Sequence, residues 1–242
     1  MTVEIIKTEP IDARKPLFVV GFPGIGLVGS VAVSYFVEKA GFHMAGYVSS
    51  NDFAPLAAIH NYAPLPPVRI YYSKEKNIVV VLSEIVVPVA ISNEMASKIL
   101  EFAKELRSDR IISLGGISLK EADNAVYLVG NQKKEVDAII ASKMARGIKE
   151  GATTGVTGTL LATGSMAGYS ILAILAEANP DFVDPKAASN ALRVLSKMID
   201  VPINTLELEK EARTLSQGAK ESLVKSKALG KKTSGPSGGM YG

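Results

Sequence analysis

The chain has 242 residues, 47% of them hydrophobic, with no cysteine and a formal charge of +3. That length and composition suffice for a large folded core and exclude a wholly disordered chain, while the absent cysteines exclude disulfides, thiol nucleophiles and thiolate metal sites. Lys220, Lys225, Lys227, Lys231 and Lys232 crowd the C-terminal end against Glu221 alone, which leaves the body near neutral and argues against a broad nucleic-acid face.

In chain order, residues 1–15 alternate charged and apolar side chains and lack the apolar core of a signal peptide. Leu17-Phe18-Val19-Val20 reads as a buried strand, ended by the turn Gly21-Phe22-Pro23-Gly24. Residues 25–40 carry apolar side chains at helical spacing, with Gly41 placed to stop the helix, and 42–48 read as a second strand. The β-rich runs 69–72 and 78–82, separated by Ser73-Lys74-Glu75-Lys76-Asn77, predict a hairpin. The strongest apolar stretch, 78–91, is interrupted by Ser83, Glu84 and Pro88, so no membrane span is expected and a cytoplasmic protein is.

Ser92 suits an N-cap for a helix running to residue 106, with Met95, Ile99, Phe102 and Leu106 as its buried stripe. A strand over 110–114 leads into Gly115-Gly116; 125–129 predicts another strand and 133–142 a short helix. The glycine- and threonine-rich stretch 153–163 has no clear assignment. Helices are expected over 165–178, 185–199 and 205–227, punctuated by Asn179-Pro180-Asp181 and Asp200-Val201-Pro202. Strands alternating with helices predict an α/β three-layer sandwich with a largely parallel central sheet and a helical C-terminal third. One domain is expected over 1–227, followed by a flexible tail over 228–242.

Gly24-Ile25-Gly26-Leu27-Val28-Gly29 spells the dinucleotide fingerprint between a predicted strand and a predicted helix, and Asp52 stands about where a ribose-binding acid would. Against that, Phe22-Pro23 separates the strand end from the pattern, and Asp52 follows Ser49-Ser50-Asn51 instead of closing a strand. The competing account is a tight strand-to-helix turn whose small residues let helix meet sheet. A P-loop lacks its lysine, and Gly164-Ser165-Met166-Ala167-Gly168 puts methionine where a nucleophile elbow needs serine. His43 and His60 are expected to be structural or surface residues, and Glu84 a capped or paired carboxylate at a strand end. No catalytic set, cofactor site or metal site is expected. The apolar, proline-rich loop 52–67 either packs on its own sheet or builds a homo-oligomer.

The chain closes on a glycine-rich leash, 230–239, tipped by Met240, Tyr241 and Gly242. A methionine and a ring can fill a pocket while a terminal carboxylate meets a cation, a recurrent mode of peptide capture.

Together, Gly21-Phe22-Pro23-Gly24-Ile25-Gly26-Leu27-Val28-Gly29, Ser83-Glu84, Leu114-Gly115-Gly116 and Gly155-Val156-Thr157-Gly158-Thr159-Leu160-Leu161 resemble the proteasome assembly chaperone family, in particular its archaeal Pba-type branch. The resemblance spans 11–215 and includes Asn179-Pro180-Asp181 and Asp184-Pro185-Lys186-Ala187-Ala188. It implies an ATP-independent, non-enzymatic α/β chaperone or activator without a cofactor, whose glycine motif is structural. It also implies a homo-oligomer (tetramer or pentamer), proteasome core particle α subunits as partners, and a paralogous assembly chaperone as a further one. By the same resemblance, Met240, Tyr241 and Gly242 match a hydrophobic-tyrosine-any motif that docks between adjacent α-ring subunits, the Gly242 carboxylate meeting a pocket lysine. The alternative function is a small-molecule or nucleotide-binding α/β enzyme using the turn from Gly24 to Gly29.

Overall fold

Short, almost wholly apolar runs cannot sit at a sheet surface, and in this protein they become the interior strands of a nine-stranded sheet. The structure, a computed structural model, describes residues 2–119 and 123–210. Its first half comprises β1 (Val3–Lys7), β2 (Leu17–Gly21), α1 (Val28–Lys39), β3 (His43–Ser50), β4 (Ala58–His60), β5 (Ala63–Leu65), β6 (Val68–Ser73) and β7 (Ile78–Ser83). There follow α2 (Val89–Glu105), β8 (Arg110–Ile117), β9 (Val126–Gly130), α3 (Lys133–Ala141), β10 (Arg146–Gly147), α4 (Gly155–Met166), β11 (Ser170–Glu177) and α5 (Pro185–Ile199).

The sheet order is β1-β3-β6-β7-β2-β8-β11-β9-β10, with β4 and β5 forming a separate hairpin. Its centre, β7-β2-β8-β11, is parallel. Antiparallel pairs form the β1-β3-β6-β7 wing and join β11 to β9, and β10 closes the far edge parallel to β9.

Alternation along β2 divides the core in two, since successive side chains point to opposite faces. Val19 joins α1, α3 and α5 on one side of the sheet, whereas Phe18 and Val20 join α2 and α4 on the other. The result is the expected three-layer α/β sandwich. Burying a large aliphatic side chain stabilises by about 1.5–3 kcal/mol, so the fully buried Phe18, Phe36, Met95, Ile99, Ile112, Leu114 and Leu128 dominate the fold's stability.

Several boundaries differ from expectation for identifiable reasons. The predicted helix over 165–178 is the end of α4 followed by strand β11. Ile171 to Ala176 are buried on both faces between β8 and β9, and a short continuous apolar run gives no periodicity with which to tell strand from helix. The unassigned glycine–threonine stretch is α4, whose short side chains let it pack closely against α2 and β11. Ser92 is not the N-cap of α2: Pro88 is, and the Ser92 hydroxyl donates back to the Pro88 carbonyl at 3.1 Å. The N-terminal residues, read only for the absence of a signal, form edge strand β1 on β3. Beyond α5, residues 206–210 start a further helical turn, and the rest of the predicted 205–227 helix lies outside the described residues.

Candidate functional site: an apolar face at the ends of the parallel strands

The glycine-rich turn after β2 is packed by its own chain. Gly26 adopts φ 61°, and a Cβ placed there would lie 2.8 Å from the Ala178 Cβ and 3.1 Å from the Asp184 Cβ. The Asp184 amide donates to the Gly26 carbonyl at 2.9 Å, while the Asp184 carboxylate caps α5 through the Ala187 amide. A Cβ at Gly29 would lie 2.5 Å from the Leu114 carbonyl oxygen, and one at Gly116 only 2.1 Å from that of Ile25. These glycines therefore let α1 and its lead-in turn touch the backbone of β8. The remaining crevice, lined by Phe22, Pro23, Gly115, Gly116 and the lead-in to α4, holds about 150 Å³, against roughly 300–1,000 Å³ for ordinary small-molecule pockets. Asp52 closes no dinucleotide site either, because β7 and β6 separate its strand, β3, from β2.

Of the two histidines, His43 is exposed at the start of β3, its ring edge-on to Tyr72 and 3.7 Å from Glu9. His60 lies on β4 and meets Glu84 just past β7, Nε2 standing 2.8 and 3.1 Å from the two carboxylate oxygens. Facing a carboxylate, Nε2 carries the proton and donates. Arg69 on β6 completes the group: only 1% exposed, it pairs with Glu84 at 2.8 Å and donates to the Pro66 carbonyl at 3.2 Å. Its guanidinium lies over the Tyr71 ring. Burial pushes the Tyr71 phenol up, against the downward pull of Arg69. Glu84 is thus the paired carboxylate expected. Arg69 was not singled out from the sequence as the buried partner of Glu84, although the hairpin register sets it opposite Leu82, two residues from Glu84.

This ion-paired group pins the proline-rich loop. Within the loop, β4 and β5 pair antiparallel around Asn61 (φ 49°) and Tyr62 (φ 67°), both left-handed as a two-residue type I′ turn requires. A bulky residue in that region costs on the order of 1 kcal/mol, and Tyr62 is fully exposed at the tip. Leu56, Ile59, Val86 and Val89 are exposed on the same loop and just beyond β7, Val89 by 92%. Leu27, Leu119, Phe182 and Val183 follow β2, β8 and β11 at the same end. Among the described residues, only Met166 and Leu206 of the large exposed apolar side chains fall elsewhere. Concentration of that kind at one end of a sheet marks an interaction face.

Met240, Tyr241 and Gly242 lie outside the described residues. The point from which the chain continues toward them is well anchored. Asn204 accepts from the Tyr35 hydroxyl at 2.7 Å, Leu208 is buried, and Glu209 reaches Ser189 at 3.1 Å and Arg193 at 3.5 Å. Lys39 pairs with Glu207, which raises the lysine's pKa and lowers the glutamate's. A groove of about 370 Å³ runs beside this segment, lined by Leu27, Val31, Tyr35, Glu84 and Leu208. Among the described residues no helix is long and apolar enough to cross a membrane, and no group of three or more histidines and carboxylates is placed to hold a metal.

Comparison with known proteins adds four likenesses. The profile of the PAC2 family matches residues 18–223. The fold superposes on Pyrococcus furiosus PbaA, an archaeal homolog of proteasome-assembly chaperone, with TM-score 0.83 and 28% identity over 96% of both chains. It also superposes on P. furiosus PbaB, an archaeal proteasome activator, with TM-score 0.80 and 25% identity over 91% of this chain and 98% of that one. A protein of Methanocaldococcus jannaschii is 27% identical over 220 residues, 91% of this chain and 90% of its own length.

Proposed function

The chain belongs to the PAC2 family, and from that premise we propose that it is an ATP-independent, non-catalytic proteasome-binding protein, an assembly chaperone or activator. The observation that carries this reading is the likeness to PbaA along 96% of both chains. The end-to-end match to the activator PbaB supports the same partner.

In this proposal Met240, Tyr241 and Gly242 are the docking end. Tyr241 and Met240 fill a pocket between adjacent α subunits of the proteasome core particle, and the Gly242 carboxylate meets a lysine there. One such tail buries little surface and binds weakly. Several tails on a tetramer or pentamer raise one another's effective concentration and bind with avidity. The apolar face around Tyr62, Ile59, Val86 and Val89 is the contact between subunits, and a paralogous assembly chaperone is a candidate for the same contact. The glycine turn, filled by Ala178 and Asp184 of its own chain, lends no support to a nucleotide-binding enzyme.

The test is native mass spectrometry of the full chain with archaeal proteasome α subunits, beside a variant lacking residues 240–242 and Tyr241→Ala. Both changes are expected to abolish the complex while leaving the circular dichroism spectrum and the oligomer mass unchanged. Undiminished binding by either variant overturns the docking role.

A further inference from the structure

At the opposite edge of the sheet from β1, two hollows share one apolar floor. The first, about 300 Å³, lies between α5 and β9, and the second, about 500 Å³, between the end of α3 and edge strand β10. Val126 and Met144 line both, so the two form one continuous groove. The α5 wall is built from Asn190, Arg193, Val194 and Lys197, spaced so that they fall on one helix face. Lys143 and Arg146 stand on the other wall.

The charge in this groove has a single sign: among the described residues, no acidic side chain lines either hollow. Arg193 is oriented by Asn190 and Glu209, and Arg146 by Asp123, across the Tyr127 ring. Lys143 and Lys197 make no ion pair among the described residues. Two unengaged ammonium groups thus flank a floor of valine and methionine, and methionine adapts its shape to varied apolar partners.

We propose that this groove binds an acidic peptide segment of a partner protein, with one apolar side chain on Val126 and Met144 and carboxylates at Lys197 and Lys143. A phosphate-sized anion needs donors converging on one point, whereas these cations stand on opposite walls. A nucleic acid needs a longer basic track than four side chains provide. The groove lies at the β10 edge of the sheet and shares no lining residue with the exposed apolar face, so this partner is additional to the contacts proposed above, and the inference does not depend on them.

The experiment is fluorescence polarisation of the full chain with a labelled peptide in which glutamates flank a single leucine. Saturable binding is expected, weakened by added salt because the charges are exposed. Lys143→Glu with Lys197→Glu should weaken it by roughly tenfold or more, since two favourable surface pairs become two repulsions. Replacing the peptide's leucine with serine should weaken binding on the unaltered protein, which tests the apolar floor without any question of misfolding. Absence of saturable binding, or indifference to the lysine reversals, overturns the proposal. So does equal competition by inorganic phosphate, or tighter binding of a short DNA duplex than of the peptide.

Discussion

Arg69 holds a charge inside the protein against the Glu84 carboxylate, the Pro66 carbonyl and the Tyr71 ring face, with the His60 Nε2 3.4 Å from its Nη2. Among the described residues the Arg69 Nε finds no partner, so the group has no spare bond to lose. Glu84→Gln should destabilise the fold by about 2–4 kcal/mol, toward the lower part of the range for a broken buried pair because Glu84 still reaches solvent. Replacing both members, Arg69→Met with Glu84→Gln, should recover at least half of that loss in urea unfolding, since no uncompensated charge remains. At the glycine turn the contrast is steric. Gly116→Ala drives a methyl into the Ile25 carbonyl and should cost about 1–3 kcal/mol, whereas Gly24→Ala enters open space and should stay within about 0.5 kcal/mol. Thermal unfolding of the two variants checks whether backbone contact is what these glycines serve. The glycine pattern was legible in the sequence, but its purpose was not. The same spacing suits a pyrophosphate or a carbonyl, and only the positions of Ile25, Ala178 and Asp184 decide between them.

Edge strand β1 is latched at its start by a single side chain of α2. The Glu94 carboxylate accepts from the Thr2 amide at 2.8 Å, the Val3 amide at 3.2 Å and the Thr2 hydroxyl at 2.9 Å. The Val3 amide leads in holding its pKa below the ordinary glutamate value, with both Thr2 donors adding to it. Because the folded pKa is depressed, the latch contributes fully above the unfolded value and is lost as pH falls through the folded one. The Val3 amide resonance should therefore titrate with a midpoint below the ordinary glutamate value, and Glu94→Gln should flatten that response in an NMR titration. Elements with a face in solvent, such as α2 with Met95, Ile99 and Phe102 inward, announced themselves through their periodicity. Strand β11 did not, because a neighbour on every side erases the pattern. The hairpin of β4 and β5 hid among prolines for a different reason: its turn uses Asn61 and Tyr62 where glycine is the usual signal.

At the scale of the whole molecule, exposed apolar side chains gather at one end of the sheet, and this makes subunit association testable by a single charge. Tyr62→Asp should lower the mass measured by light scattering toward that of one chain, without loss of helical signal, because the tyrosine touches nothing in its own fold that the change would break. With the tails then separated, affinity for the proteasome core should fall by about 10²-fold or more through lost avidity alone. Strand order has a bearing on synthesis as well as on shape. β2 (Leu17–Gly21) pairs with β7 (Ile78–Ser83) and β8 (Arg110–Ile117), and β8 takes β11 (Ser170–Glu177) as its other neighbour. Each of these pairings closes a long loop, and such topologies fold slowly. A nascent chain on the ribosome leaves one side of β8 bare until residue 177 has emerged, so the growing polypeptide is sticky for most of its translation. Residues 240–242 emerge after every strand of the described residues has been made, so on the proposed function the body can fold before the segment assigned to docking exists.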